Sequence, residues 1–387
     1  MGRGVSDPRT ADVVVIGAGC VGASVAFRLA QRGSRVVVLE REKMAGTGST
    51  GHCAGGVRQQ FSTRVNVLLS QASVATLERF PEEIGADAGF DQCGYLFCLA
   101  DEPSWREFRK QLELWRELEV PARALTPAEA RALVPELEVG DLAGCTFCPT
   151  DGIADPHLVT QGFVAAARRH GAAFLFDQAV TGIRVEGGRV RAVSTATAEI
   201  ATPVVVNAAG PYAAEVARFA GVELPVSPFR RQMFTTQPLA WVDARFPMVV
   251  DWKSGIYMHR ESGGVLVGLA DKNEPPSFNT NIDFEFRDLV FSLAMERVPR
   301  LEEAEYRAGW AGLYETTPDH NAILGPVPGV AGFYCANGFS GHGFMHSPAI
   351  GQVIAGLVLD GKSPIDVSDL SVERFQRHQL LVEADVI

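Results

Sequence analysis

A four-residue apolar run, Val13-Val14-Val15-Ile16, leads straight into Gly17-Ala18-Gly19-Cys20-Val21-Gly22, and this junction constrains the fold more than any other part of the chain. A short buried strand, a G-x-G-x-x-G turn and an opening helix form the first half of a dinucleotide-binding βαβ unit. Gly17 permits the tight turn, Gly19 lets the backbone approach a pyrophosphate, and Gly22 lets helix and strand pack closely. The helix is expected from about Val21 to Arg32, with Gly33 as its C′ residue. The next strand, Val36 to Leu39, ends at Glu40, 18 residues past Gly22, where a carboxylate can accept hydrogen bonds from a ribose diol. The helix N-terminus offers free N–H groups and a positive dipole end to phosphate.

The pattern then changes several times. A small-residue loop spans Gly46 to Gly56. A helix is predicted from about Thr63 to Phe80, with Ser62 as its N-cap. The stretch Asp101 to Glu119 is amphipathic and charged. Thr126-Pro127-Ala128-Glu129 reads as a capping box with Pro at N1, and Asp155-Pro156 opens a helix to about His170. A strand at Val204 to Asn207 runs into a glycine turn at Gly210. Residues 226–310 alternate, carry bulky aromatics and turn at Gly263-Gly264, which predicts antiparallel sheet with one helix near 283–298. The first style returns with a strand over Gly332 to Asn337, a glycine loop at 338–343 and a helix to about Leu359.

Composition narrows the function classes. Of 387 residues 47% are hydrophobic and 21% charged, an ordinary globular balance. No apolar run approaches the roughly 18 residues of a membrane span. The net charge of −11 argues against a nucleic-acid partner. Seven cysteines, an odd number in a long chain, argue against a disulfide framework and for a reducing, cytoplasmic setting. Cys145-x-x-Cys148 lacks a convincing second pair, Cys93 and Cys98 being the only candidate, so no metal site is expected. No signal peptide is expected, because the charged start is followed only by the short run Val13 to Ile16. The formal myristoylation match Met1-Gly2-x-x-x-Ser6 is read as chance.

Two features favour FAD over NAD. The loop 46–56 directly follows the second strand, where an elongated flavin can lie against backbone. The chain also returns to the nucleotide domain twice, at Val206–Gly210 and Gly338–Gly343. The predicted fold is α/β (α+β overall). A Rossmann-like FAD-binding domain is built from the discontinuous segments 1–85, 145–225 and 320–387. An inserted antiparallel-sheet substrate domain takes 86–144 and 226–319.

The segments VVVIGAGCVGAS, GSTGHCAGGVRQQFS, DGIADPHLV, VVVNAAGPYA, GWAGLYETTPDHNAILGP and FYCANGFSGHGFMHSPAIG carry a resemblance. In that order the chain resembles the D-amino-acid oxidase-like FAD-dependent oxidoreductases. It is most similar there to the dye-linked L-proline dehydrogenase β-subunits and to sarcosine and dimethylglycine dehydrogenases. It also resembles the FAD-dependent oxidoreductase domain-containing proteins. The resemblance implies oxidation of a C–N bond of a small amino acid or N-methylated amine, with hydride passing to flavin N5.

Site residues follow residue by residue. Cofactor contacts are expected from Gly17, Gly19, Cys20, Val21, Gly22, Glu40 and Arg41, and from Ser49, Thr50, His52, Ala54, Gly55 and Gly56. They are also expected from Val180, Ala209, Gly210, Gly312 and Leu313, and from Gly338, Phe339, Ser340, Gly341, His342, Gly343 and Phe344. The amides of the last loop suit the flavin N1–C2=O edge. Arg58 matches the arginine that binds the substrate carboxylate in sarcosine oxidases, a task suited to a planar guanidinium. The family's second carboxylate group is a lysine whose position here is Met345, with His346 beside it as a substitute. Tyr257 and His259 share one face of a strand. Both are pocket candidates, and His259 is the candidate base.

Relatives that react with O2 keep a lysine near N5. Here Leu266 or Val267 takes that place, so a dehydrogenase is expected. The cysteine that carries covalent flavin in monomeric sarcosine oxidases corresponds to Gly312. His52 falls in register with the flavin-linked histidine of an S-T-x-H-A-A-G string, so attachment there is an alternative to the non-covalent FAD expected. The electron acceptor is left open, a partner subunit being one candidate. The competing readings are an O2-using amino acid oxidase, a 2-hydroxy-acid dehydrogenase, and a flavin-stabilised assembly factor.

Overall fold

In the computed structural model the described residues are 9–381 and 383, so the Met1–Ser6 match lies outside them. A six-stranded sheet takes the strands Ile323–Pro326, Phe333–Asn337, Val205–Asn207, Val13–Ile16, Val36–Leu39 and Ala173–Leu175 in that order. All neighbours run parallel except the first pair. Val13–Ile16 and Val36–Leu39 are buried at every position, which is why they read as unbroken valine runs without alternation. The helices Cys20–Gln31, Pro156–Arg169 and Gly343–Asp360 cover one face. A Cβ on Gly351 would meet Ser24 Oγ at 2.3 Å, so two of these helices approach backbone to backbone only because that position has no side chain.

The second large sheet has eight strands, ordered Tyr306–Thr316, Ser227–Thr236, Gly264–Leu269, Ile256–Glu261, Met248–Asp251, Tyr95–Leu99, Gly144–Cys148 and Arg123–Leu125. It departs from the purely antiparallel expectation at one seam, because Met248–Asp251 runs parallel to Tyr95–Leu99. The chain between those strands passes through the six-stranded sheet and re-enters from the same end. Gly144–Cys148 pairs with Tyr95–Leu99 along its whole length, so the boundary expected at 144/145 falls inside a strand of this sheet. A three-stranded meander, Val180–Glu186, Arg189–Thr195 and Glu199–Ala201, lies beside the six-stranded sheet.

Local signals place most helix starts. Thr126 and Glu129 form both halves of the capping box, and Asp155 accepts from the amides of His157 and Leu158. The helix expected from Thr63 to Phe80 instead spans Arg64–Glu78, and Pro81 opens a separate short helix, Phe80–Ile84. Proline has no N–H for the preceding ladder, so the long helix stops short of it. Ser62 is not the cap either. The N-cap position is Thr63, which makes no side-chain cap bond, and Glu383 sits just before this helix end, its carboxylate accepting from the amides of Ser62 (2.8 Å) and Thr63 (3.2 Å), from Thr63 Oγ1 (2.7 Å) and from Asn66 Nδ2 (2.9 Å). An anion there offsets the positive end of the helix.

Candidate active site

The first-sheet strands end at a cavity of about 510 Å3. Its wall takes Gly17, Gly19, Cys20 and Val21 from the first turn and Glu40 and Arg41 from the second strand end. Ser49, Thr50 and His52 come from the small-residue loop, and Val180, Ala209, Gly210, Gly312, Leu313, Phe339, Gly341, Gly343 and Phe344 from later segments. Gly22, Ala54, Gly55, Gly56, Gly338, Ser340 and His342 are not on that wall. Gly22 acts inside the turn, where its Cβ would meet the Gly17 carbonyl oxygen at 2.0 Å. Gly17 has φ +103°, and a Cβ there would lie 2.4 Å from the Ala208 oxygen.

The wall is held by contacts between distant segments. Glu40 accepts from the Ala18 amide (2.7 Å) and the Glu42 amide (2.9 Å), which clamps the turn to the strand end. Burial raises its carboxyl above the ordinary range, and those two amides counteract the rise. The Cys20 amide donates to Thr50 Oγ1 (3.2 Å), and Ser49 Oγ donates to the Leu313 carbonyl (2.6 Å). The helices starting at Cys20 and Gly343 carry no acidic residue in the first turn and no side-chain cap. Both positive ends therefore suit an anionic ligand. His52 Nδ1 lies 2.8 Å from the Gly48 carbonyl, turning the ring back onto its own 3-10 turn. Glu315, missed in the sequence, accepts from the Gly338 amide (2.9 Å), and its carbonyl accepts from Ser340 (3.0 Å), so it braces the glycine loop. Burial pushes its carboxyl up to about 7.

A second cluster adjoins this wall. Arg58 is buried, its guanidinium 4.0 Å over the Phe61 ring and 5.6 Å from that of Phe97, and it donates to the Gln60 carbonyl. Its charge bears on Tyr95, Tyr314, His342 and His346, pulling the two tyrosines down and the two histidines down. Tyr257 is coupled in turn to Tyr314, Tyr95 and Arg231. Burial drives all three phenols above their ordinary value. Among the described residues no hydrogen bond engages their hydroxyls, so three polar tips share one enclosure. Two glycines make the room. A Cβ on Gly268 would lie 2.2 Å from the Tyr257 ring, and one on Gly341 2.5 Å from that of Tyr314. Arg231 lines the cavity with its guanidinium 5.0 Å over Tyr314, and its Nε has no partner among the described residues.

The loop bearing Arg58 is fixed from behind by Asp151. This fully buried carboxylate accepts from the Gln59 amide (2.9 Å), Gln59 Nε2 (3.0 Å) and Gln60 Nε2 (3.2 Å). Desolvation still pushes it up to about 6.

The histidines differ from expectation. His346 is buried against Phe61, bonded to Ser70 Oγ at 3.0 Å, and held neutral with its pKa lowered to about 3 by burial and then Arg58. It joins two helices and does not stand in for the missing lysine. His342 packs edge-on to Phe61 at 4.8 Å. His259 shares a strand face with Tyr257, but the groups bearing on it are Arg260, Glu261 and Ala54, and neither arginine of the cluster does. Its Nδ1 lies 2.7 Å from the Arg260 carbonyl, and Nε2 has no partner among the described residues.

Tyr95, Tyr314 and Arg231 escaped the sequence reading. Tyr314 lies within the recognisable GLYETTPD string, but which way a strand residue points relative to a distant loop is not written locally.

A dinucleotide cavity walled by a G-x-G-x-x-G turn, next to an enclosed arginine and three phenols, defines an oxidoreductase working through a bound nucleotide cofactor. Residues 12–357 match the DAO family model, "FAD dependent oxidoreductase", and the chain belongs to that family. It is thus an FAD-dependent oxidoreductase. The chain is 32% identical over 386 residues to mitochondrial sarcosine dehydrogenase of Mus musculus, covering 95% of this chain and 42% of that protein. It therefore spans less than half the length of that relative. It is 30% identical to FAD-dependent oxidoreductase domain-containing protein 1 of Xenopus laevis, covering 98% and 85% of the two chains. Among solved structures, L-proline dehydrogenase from P. horikoshii superposes with a TM-score of 0.92 at 34% identity, over 97% of this chain and 100% of the other. Glycine oxidase from Geobacillus kaustophilus gives 0.85 at 28%, over 95% and 99%.

Proposed function

We propose that the protein dehydrogenates the C–N bond of a small amino acid or N-methylated amine of the proline, sarcosine or glycine type. The observation that carries this reading is the Arg58 guanidinium, buried over Phe61 with its charge bearing on Tyr95 and Tyr314, the two phenols that in turn bear on Tyr257. The named activities of the sarcosine, L-proline and glycine enzymes it resembles support it.

FAD, when bound, supplies the hydride acceptor. The first-turn amides, Glu40 and the loops 49–52 and 338–343 would hold it. Arg58 takes the substrate carboxylate, and a desolvated, charge-assisted pair fixes the substrate's orientation. The three hydroxyls complete its polar contacts, while their rings exclude water. The amine must be neutral before hydride leaves, because an ammonium cannot support the developing iminium. Arg58 and Arg231 make the enclosure positive, which lowers the ammonium pKa and favours release of that proton. Tyr257 faces this enclosure. His259, turned toward Ala54, is assigned to the support of the cofactor loop rather than to proton abstraction. The eight-stranded sheet is the substrate domain and the remaining sheets the FAD domain.

The acceptor of the electrons is a carrier or partner subunit other than O2. No helix among the described residues is long and apolar enough to cross a membrane. We retain the cytoplasmic placement with this reading.

Anaerobic mixing with L-proline, sarcosine, glycine, dimethylglycine and 2-hydroxy acids, watching the flavin bleach, tests the proposal. Rapid bleaching by an amino acid or methylated amine is expected. Bleaching by the hydroxy acids alone, or by none of the panel, would overturn it.

A further inference from the structure

Between the strand Gly264–Leu269 and the helix Phe284–Arg297 the chain leaves the eight-stranded sheet and runs out to the cofactor cavity. This excursion is tied down repeatedly to one strand, Ser227–Thr236. Glu274 pairs with Arg230, Nη2 to Oε2 at 2.7 Å and Nε to Oε2 at 3.0 Å, with side-chain exposures of only 5% and 12%. Arg230 Nη1 also donates to the Asn281 carbonyl (2.7 Å). The Ser277 amide donates to the Pro228 carbonyl (2.9 Å), and the Asp283 amide to Gln232 Oε1 (2.7 Å).

Between these anchors the excursion presents one large apolar side chain. Phe278 is stacked on Tyr212 with ring centres 4.7 Å apart and planes at 10°, and it is 42% exposed. The Tyr212 ring also takes the Arg41 guanidinium at 4.2 Å. Arg41, Tyr212 and Thr280 all line the dinucleotide cavity. The substrate-side sheet thus reaches across and grips the nucleotide side at the cavity wall, through a contact made of two rings and a cation.

We propose that residues 271–283 form a strap over the FAD cavity, clasped by Phe278 on Tyr212, and that this clasp retains the bound cofactor. Withdrawal of the dinucleotide past Arg41 and Tyr212 requires those side chains to move aside, and the stack on Phe278 opposes that movement. The inference rests on FAD binding and is independent of which substrate is oxidised.

The test measures FAD release from the holoprotein by the rise in free-flavin fluorescence on dilution. Phe278→Ala should release FAD about 2- to 12-fold faster, the factor expected for loss of one aromatic pair. Phe278→Tyr, which keeps a ring on Tyr212, should release at the parent rate. If the flavin proves covalent, the same comparison is made in the His52→Ala background. Parent-like release from Phe278→Ala, or release from Phe278→Tyr as fast as from Phe278→Ala, overturns the strap. Failure of every substrate to bleach the flavin would overturn the proposed reaction and leave this result standing.

Discussion

The Arg58 guanidinium lies 4.0 Å from the centre of the Phe61 ring, both groups are buried, and the intervening Gln60 supplies a carbonyl to the same guanidinium. The loop therefore makes a flat slot that fits a planar cation on three sides. Lysine keeps the charge and loses the plane. We expect Arg58→Lys to weaken binding of an amino-acid competitive inhibitor about 10- to 150-fold, the range for loss of a charged hydrogen bond. Flavin reduction at saturating substrate should fall less. Inhibitor titration of the two proteins decides the matter, and equal affinities would remove Arg58 from the carboxylate site.

Gly268 faces Tyr257 across the antiparallel register, and the ring lies where a Cβ would be. Gly268→Ala should displace that ring, with an overpacking cost of about 1–3 kcal/mol in stability. FAD content should hold while substrate affinity falls at least as far as in Tyr257→Phe. A Gly268→Ala protein with parent-like substrate affinity would mean that the Tyr257 ring does not shape the enclosure.

Asp151 gives a pH signature. Its pKa rises from 3.8 to about 6 on folding, so the native state binds its proton more tightly than the unfolded chain does. The resulting stability is present in full below about pH 4 and is lost as pH rises through about 6, on the order of 3 kcal/mol in all. Asp151→Asn carries no titrating proton. The parent's advantage over this variant should therefore shrink from about pH 4 to about pH 6 in denaturant unfolding and level off above that. An advantage that grows with pH would show that the carboxylate is stabilised as an anion.

Reduced enzyme should react slowly with O2 and quickly with an artificial acceptor. Leu266 and Val267 are buried and apolar, while Lys253 and Lys272 are exposed. A fixed cation beside the flavin would stabilise superoxide as it forms; neither apolar position supplies one, and the nearby cations Arg58 and Arg231 are assigned in this reading to the substrate enclosure. Stopped-flow reoxidation well above the rate of free reduced flavin would make the protein an oxidase.

Acid precipitation should leave all the yellow colour in the supernatant. The His52 ring lies on the cavity wall with Nδ1 engaged by the Gly48 carbonyl of its own turn, so Nε2 is the nitrogen by which it would be linked if the flavin were covalent. Fluorescence remaining with the denatured chain would identify His52 as an attachment point.

What could be read from the residues divides by the range of the interaction. The turn at Gly17–Gly22, the capping box at Thr126 and the cap at Asp155 depend on neighbours within a few positions, and each lies where the pattern puts it. Ser62 looked like a cap by the same logic, but its partner is Glu383, 321 residues away, and no local pattern announces that. The cut at 144/145 failed for a related reason. Gly144–Cys148 looks like any buried strand, and only its pairing with Tyr95–Leu99 assigns it to a sheet. Much of the cavity wall was legible because backbone and glycine make it, although Gly22, Ala54–Gly56, Gly338, Ser340 and His342 lie off it. The enclosure beside it was partly hidden because Tyr95 and Tyr314 resemble core aromatics until the strands bearing them are brought together.

The carboxylate that Glu383 places before the helix Arg64–Glu78 also sets an order of assembly. That helix follows directly on the Arg58–Phe61 loop, and the amides of Ser62 and Thr63 that lead into it wait for a carboxylate translated more than three hundred residues later. A nascent chain can close the valine strands and the first helix early, as N-terminal parts do during synthesis. Asp151 can brace the Arg58 loop earlier in synthesis, but the contacts at Ser62, Thr63 and Asn66 wait for Glu383, so the pocket's second brace arrives with the last segment described.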